Sequence, residues 1–169
     1  MVIEAVPEKS ERPRVLSWLL PAAAVVLLLV SAALGGLLYR QRNHADQRAE
    51  ALAAAKQTLI NAYSVDYRTV EKDYQRFMAG TTDQLHGQLD EGRKKFLATV
   101  KSTQTREQAT VADAGVVRFG GDTATVAIAL DSPLATKAAP KERMRRYRTE
   151  VDVRRVHGHW LATDIRQID

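Results

Sequence analysis

Between Val15 and Tyr39 the chain carries no charged residue, and no other stretch restricts its fold so severely. A run of 25 residues reaches about 37 Å as an α-helix at roughly 1.5 Å per residue, against a hydrocarbon thickness of about 30 Å. It is long enough to cross a bilayer with some tilt. Trp18 and Tyr39 lie near its two ends, where amphipathic rings favour the headgroup region, and Pro21 sits early enough to be tolerated or to kink the helix. The competing reading is a cleaved signal peptide, with Lys9, Arg12 and Arg14 as its basic start and Ser31-Ala32-Ala33 as its cleavage site. Against it, the run exceeds the roughly 7 to 15 residues of a signal core and continues through Leu34, Leu37 and Leu38. A retained single-pass anchor is the expectation.

Orientation is weakly encoded. Lys9, Arg12 and Arg14 before the span face Arg40, Arg42 and Arg48 after it, so the positive-inside count decides nothing. A short tail ahead of a first span ordinarily stays in the cytoplasm. The expected arrangement is a plasma-membrane protein with its N-terminus cytoplasmic and its C-terminal domain extracytoplasmic, on the periplasmic side. The organisation then reads as a tail (1–14), a transmembrane helix (15–39), an Ala-rich helix leading into the domain (40–63) and the remainder of that domain (64–169).

About 130 residues follow the span, enough for one core of ordinary size and not two. Cysteine is absent, which excludes a disulfide framework, thiolate metal sites and a cysteine nucleophile. The net charge of +5 comes from 25 basic and 20 acidic residues that are interspersed, and only Lys141 to Arg148 is locally lopsided. Nucleic-acid binding would need a basic face interleaved with aromatics, so none is expected.

The domain reads as helices first and strands second. His44 to Tyr63 lacks Gly and Pro, and Ala45, Leu52 and Leu59, with Ala55 and Ala62, recur at a spacing near 3.5. That stripe is too short for a coiled coil and predicts a helix packed on its own domain. Ser64-Val65-Asp66 interrupts it. Tyr67 to Met78 places Val70, Tyr74 and Phe77 on one face, with Gly80 as the stop. Thr81 and Gln84 form a capping-box pattern opening a third helix, in which Leu85, Leu89, Phe96 and Val100 share a face despite Gly87 and Gly92. From Arg106 the period becomes two. Glu107–Phe119 and Thr123–Leu130 flank the turn Gly120-Gly121-Asp122 as a hairpin, and a loop containing Pro133 and Pro140 leads to a strand over Arg143–Val156. There Tyr147, Val151 and Val153 point one way, and Arg146, Arg148, Glu150, Asp152 and Arg154 the other. His157-Gly158 turns into a last strand, His159–Arg166, carrying Trp160. Three helices covering one face of a curved antiparallel sheet of about four strands is an α+β arrangement.

The closing run Arg155-Val156-His157-Gly158-His159-Trp160-Leu161-Ala162-Thr163-Asp164-Ile165 resembles the final hairpin of the Mce-associated membrane proteins, in which a turn Gly is followed after one residue by Trp. Tyr63-Ser64-Val65-Asp66-Tyr67-Arg68-Thr69 is similar to that family's helix–helix junction. The resemblance covers the whole plan, although Gly-x-Trp before a last strand is shared across the nuclear transport factor 2-like superfamily. It implies an actinobacterial accessory protein of Mce lipid-import systems, a nuclear transport factor 2-like cone behind one anchor, and Mce permease and Mce proteins as partners.

Candidate chemistry is thin. His157 and His159 stand two apart without a third ligand near in sequence, which reads as exposed turn histidines and leaves no metal site expected. His44 and His86 are isolated on helices. Tyr63, Asp66, Tyr67, Tyr74 and Trp160, with Asp73, are candidates to line a cone cavity as acid, base and phenol groups do in enzymes resembling ketosteroid isomerase. The plainer reading makes Asp66 a helix N-cap and the tyrosines packing groups. With no phosphate loop and no nucleophile elbow, neither an enzyme nor a cofactor is expected. A non-enzymatic accessory subunit of a lipid-import complex, docking through Arg146, Arg148 and Arg154, is the leading expectation. The alternatives are a bitopic assembly scaffold of the type IV secretion kind and an anchored small-ligand-binding cone.

Overall fold

The Ala-rich segment folds as a helix, α1, running through residues 44–62. Its buried face is Ala51, Ala55, Thr58 and Leu59, at i, i+4, i+7 and i+8. Ala45 is exposed and Leu52 half-buried, so the stripe is rotated from the one the sequence suggests, and only the C-terminal half of the helix is pressed into the core. The computed structural model describes residues 44–168 and, apart from them, Ser31 alone; the expected anchor and its tail otherwise lie outside the described residues. No helix of the described residues is long and apolar enough to cross a membrane. Of the chain's two units, Met1–Asn43 and His44–Asp169, the second holds all the elements that follow.

After α1 come β1 (Val65–Asp66), α2 (Val70–Met78), α3 (Asp83–Asp90), α4 (Arg93–Thr103), β2 (Arg106–Glu107), β3 (Thr110–Phe119), β4 (Thr123–Ala135), β5 (Arg143–Val156) and β6 (His159–Gln167). Four helices are thus described where three are expected. The helix anticipated from Thr81 breaks at Glu91–Gly92 into α3 and α4. Thr81 is not its cap: its hydroxyl donates to the Met78 carbonyl, and Thr82 holds the N-cap position with extended backbone. Phe96 turns out to be 39 % exposed.

All strand pairs are antiparallel, in the order β1-β2-β4-β5-β6, with β3 also pairing β4. The expected meander is therefore present, extended by two short strands. β1 occupies the interruption after α1, where Val65 pairs with Glu107 and Asp66 with Arg106. The long strand expected from Glu107 to Phe119 is broken at Gln108–Ala109. Pro133, expected in a loop, lies within β4. Its carbonyl accepts from the Gln108 N–H across that break, so its missing N–H falls where the partner strand is interrupted and no ladder bond is lost. Extra residues bulge at Ala112 and Val117 in β3 and at Thr163 in β6, and bulges of this kind bend and curl a sheet. The β5–β6 turn has φ of 49° at His157 and 86° at Gly158, the two positive values a two-residue type I′ hairpin requires.

Strand alternation carries the packing. Ala124, Val126, Ile128 and Leu130 of β4 and Val151 and Val153 of β5 are each at most 5 % exposed and meet Ala51, Ala55, Leu59, Leu85, Trp160 and Ala162 in one cluster. Full burial of each such Val, Leu or Ile contributes about 1.5–3 kcal/mol. A smaller cluster, Val65, Val70 and Val100, with Tyr67 and Leu97 against it, holds α2 on α4. The helical layer is also stitched to the sheet by backbone: Ala162 N–H donates to the Gly80 carbonyl at 2.8 Å and Thr82 N–H to the Ala162 carbonyl at 2.9 Å. Gly80 is not the left-handed helix stop the sequence suggests. Its requirement is proximity, because a Cβ there would sit 2.6 Å from Thr58 Oγ1.

Candidate functional site

The five residues expected to line one cavity are distributed over five places. Trp160 is in the main core, 7 % exposed, with its ring centroid 6.0 Å from that of Phe119. Tyr63 is half-buried beside β5 and stacks on Tyr147 at 4.4 Å; burial pushes its phenol above the ordinary value. Tyr67 packs against the Val65–Val70–Val100 cluster. Asp66 lies at the junction of β1 and α2. Only Tyr74 lines the half-open apolar cavity of about 280 Å³ beside the helices, with Asn61, Ser64, Asp73, Phe77, Leu89 and Phe96 among its walls.

The two junction carboxylates divide the work differently from expectation. Helix α2 begins at Val70 with Thr69 as N-cap, so Asp66 is not its cap. Asp66 accepts from the Arg68 N–H and Nε at 2.9 Å each and pairs with Arg68 Nη2 at 2.5 Å. The Arg68 hydrogen bond holds its carboxyl well below the ordinary value, at about 2. Asp73 is the structural hub. It is 7 % exposed and accepts from the Asp66 N–H at 3.0 Å, the Thr69 hydroxyl at 2.9 Å and Arg76 at 2.8 Å. A carboxylate with three donors in fixed places is a brace between β1 and the first turn of α2: both lone-pair directions of Oδ2 are taken, and Oδ1 is held by Arg76.

A second polar tie was not legible in the sequence. Glu107 on β2 accepts from the Ser132 hydroxyl at 2.9 Å and the Tyr147 hydroxyl at 3.0 Å, fastening the short strand to β4 and β5. Its members are 25 and 40 residues apart, and no local pattern links them. Burial raises the Tyr147 phenol, opposed by Arg145.

The outer face of the sheet carries the expected arginines. Arg166 bridges Glu150 at 3.5 Å, Asp152 at 2.9 Å and Asp164. Asp152 also accepts from Thr125 at 2.6 Å, and Thr125 from Arg118 at 3.2 Å. Burial pushes Asp152 up, but the Thr125 and Arg166 hydrogen bonds outweigh it and leave its carboxyl below the ordinary value. Arg146 reaches Asp131 at 3.5 Å and is 84 % exposed. Arg148 and Arg154 are exposed and enter no ion pair among the described residues. His157 and His159 are both exposed, and among the described residues no group of three or more His, Asp or Glu is placed to hold a metal.

A helical layer on one face of a curled antiparallel sheet is a nuclear transport factor 2-like fold, and solved structures at 8–13 % identity share it. The IcmL-like type IV secretion system protein of Legionella pneumophila superposes with a TM-score of 0.59 at 10 % identity over 72 % of this chain and 91 % of that one. A periplasmic fragment of TraM gives 0.58 at 13 % identity, covering 72 % and 96 %. CagV, a VirB8 homolog of Helicobacter pylori, gives 0.56 at 8 %, covering 72 % and 98 %. In sequence, residues 16–166 match the model of the family described as uncharacterized protein Rv1363c/MT1408-like, and the chain belongs to that family. It is 29 % identical to Rv1363c of Mycobacterium tuberculosis over 154 residues, which are 89 % of this chain and 59 % of that protein. It is 25 % identical to Rv1362c over 150 residues, 85 % of this chain and 68 % of that protein.

Proposed function

We propose that this protein is a non-enzymatic assembly subunit that presents a rigid extracytoplasmic domain to a membrane-associated protein complex, tethered by the Val15–Tyr39 span. The observation that carries this reading is the outer face of the sheet. Arg166 gathers the acids of that face, Glu150, Asp152 and Asp164, into one network, while Arg148 and Arg154 stay exposed and unpaired among the described residues. A strand surface with neutralised acids and free guanidinium groups suits an acidic protein partner. The likeness to secretion-system periplasmic domains supports a scaffold at the level of fold. The narrower reading, an accessory subunit of an Mce lipid-import complex, rests on the Tyr63–Thr69 and Arg155–Ile165 resemblance alone.

Affinity purification from membranes in mild detergent tests both. The reading expects defined complex components to co-purify with wild type and to be lost from a folded Arg146→Glu/Arg148→Glu/Arg154→Glu variant. Co-purification of a permease and Mce proteins selects the lipid-import assembly; components of a secretion channel select the other. A variant that retains every partner contradicts docking through this face.

A further inference from the structure

We propose that the 280 Å³ cavity between α1, α2 and the α3–α4 junction is a binding site for a small, neutral, largely apolar molecule carrying one hydrogen-bond acceptor, which the Tyr74 hydroxyl would engage. The walls are mostly apolar: Val65, Phe77, Leu89 and Phe96 among them. Every other polar side chain lining it is already engaged. Asn61 donates to the Arg76 carbonyl and accepts from Gln57, the Ser64 hydroxyl accepts from the Ala109 N–H, and Asp73 holds its three donors. Tyr74 alone differs. It is 8 % exposed, and its hydroxyl is buried with no hydrogen-bond partner among the described residues. The buried polar side-chain atoms without a partner among the described residues are the Tyr74, Thr82 and Thr149 hydroxyls and Trp160 Nε1. Of these residues Tyr74 is the one that lines this cavity, and an unpaired hydroxyl on such a residue points to a ligand acceptor.

The cavity's chemistry narrows the ligand. The one carboxylate in the wall, Asp73, is matched by Arg76, and Arg93, which lies over the Tyr74 ring at 5.5 Å, is matched by Asp90, so a charged ligand would enter without a free counter-ion. Burial, reinforced by Asp90, raises the Tyr74 phenol, which keeps the hydroxyl protonated and able to donate. Because an apolar cavity of about 150 Å³ accommodates benzene, this one suits roughly eight to ten non-hydrogen atoms, a substituted ring or a short chain. Phe96, 39 % exposed on α4, and Gly92 at the helix break both line the cavity.

The test is methyl NMR of the full-length chain titrated with acetophenone, which carries a carbonyl acceptor, and with cumene, which has similar bulk and none. Saturable shifts at Val65 and Leu89, with acetophenone binding roughly three- to tenfold more tightly than cumene, are expected. Tyr74→Phe, which removes only the unpartnered hydroxyl, is expected to keep cumene binding and erase the preference. Ala62→Leu, which fills the cavity from α1, is expected to abolish both. Absence of saturable shifts at Val65 and Leu89, equal affinity for the two probes, or a preference that survives Tyr74→Phe overturns the proposal.

Discussion

Gly80→Ala should destabilise the domain, although its backbone lies outside the left-handed region. A glycine in an ordinary conformation normally stabilises on replacement by alanine, by about 0.4–1 kcal/mol, because the unfolded chain loses freedom. Here the new methyl would stand 2.6 Å from Thr58 Oγ1 and 3.4 Å from its Cβ and Cγ2. Thr58 is 4 % exposed on α1, and Gly80 is held from the other side by its bond to the Ala162 N–H, so neither partner can retreat cheaply. Overpacking of this kind costs about 1–3 kcal/mol, leaving a net loss of about 1.3 kcal/mol at the midpoints of these ranges after the unfolded-state gain. For a domain of this size that is a fall in Tm of about 3–10 °C. Thermal unfolding of wild type, Gly80→Ala, Thr58→Ala and the double variant, followed by circular dichroism, closes a double-mutant cycle. Thr58→Ala removes the clashing oxygen, so Gly80→Ala should be nearly neutral in that background. An equal loss in both backgrounds, or a gain in wild type, would refute the account of how the helical layer is seated on β6.

Trp160→Ala should lose about 3–5 kcal/mol and leave little folded protein, checked by denaturant titration, since its ring is buried between sheet and helices. Asp73→Ala should cost about 2–4 kcal/mol by stranding the Asp66 N–H and the Thr69 hydroxyl, whereas Asp66→Asn should change stability at pH 7 by less than about 1 kcal/mol, because its ion pair is exposed. The Asp66 carboxyl is depressed from 3.8 to about 2, so its contribution is complete above about pH 4 and fades as pH falls toward 2. Urea midpoints for wild type and Asp66→Asn should then converge below pH 3, and parallel curves would speak against the Arg68 pairing. A reporter active only outside the cytoplasm should be active fused after Asp169 and silent fused before Val15.

Alternation made β5 legible to the residue: Arg143–Val156 is bounded by a Pro-containing loop on one side and a His-Gly turn on the other, and from Tyr147 to Arg154 its side chains sort to two faces. The break between α3 and α4 was not legible, because Leu85, Leu89, Phe96 and Val100 keep a helical period across it and Gly92 alone does not end a helix. The rotation of the α1 stripe had a similar cause. In an Ala-rich helix many faces score alike, and the choice of Ala51, Ala55 and Leu59 is made by the sheet they meet. Cavity and polar ties depend on distant pairings: Glu107 with Ser132 and Tyr147, and Tyr74 beside Leu89 and Phe96. Sequence could name Tyr74 and Asp73 as polar groups near an apolar face, but which of them is satisfied follows only from the packed helices.

Site-specific photo-crosslinking in intact membranes tests the docking claim most directly. A photoreactive residue at Arg148, on the outer face of the sheet, should capture one defined protein, while the same residue at Gln75, exposed on α2, should not. Capture from Gln75 with none from Arg148, or equal capture from both, would contradict assembly through the arginine face.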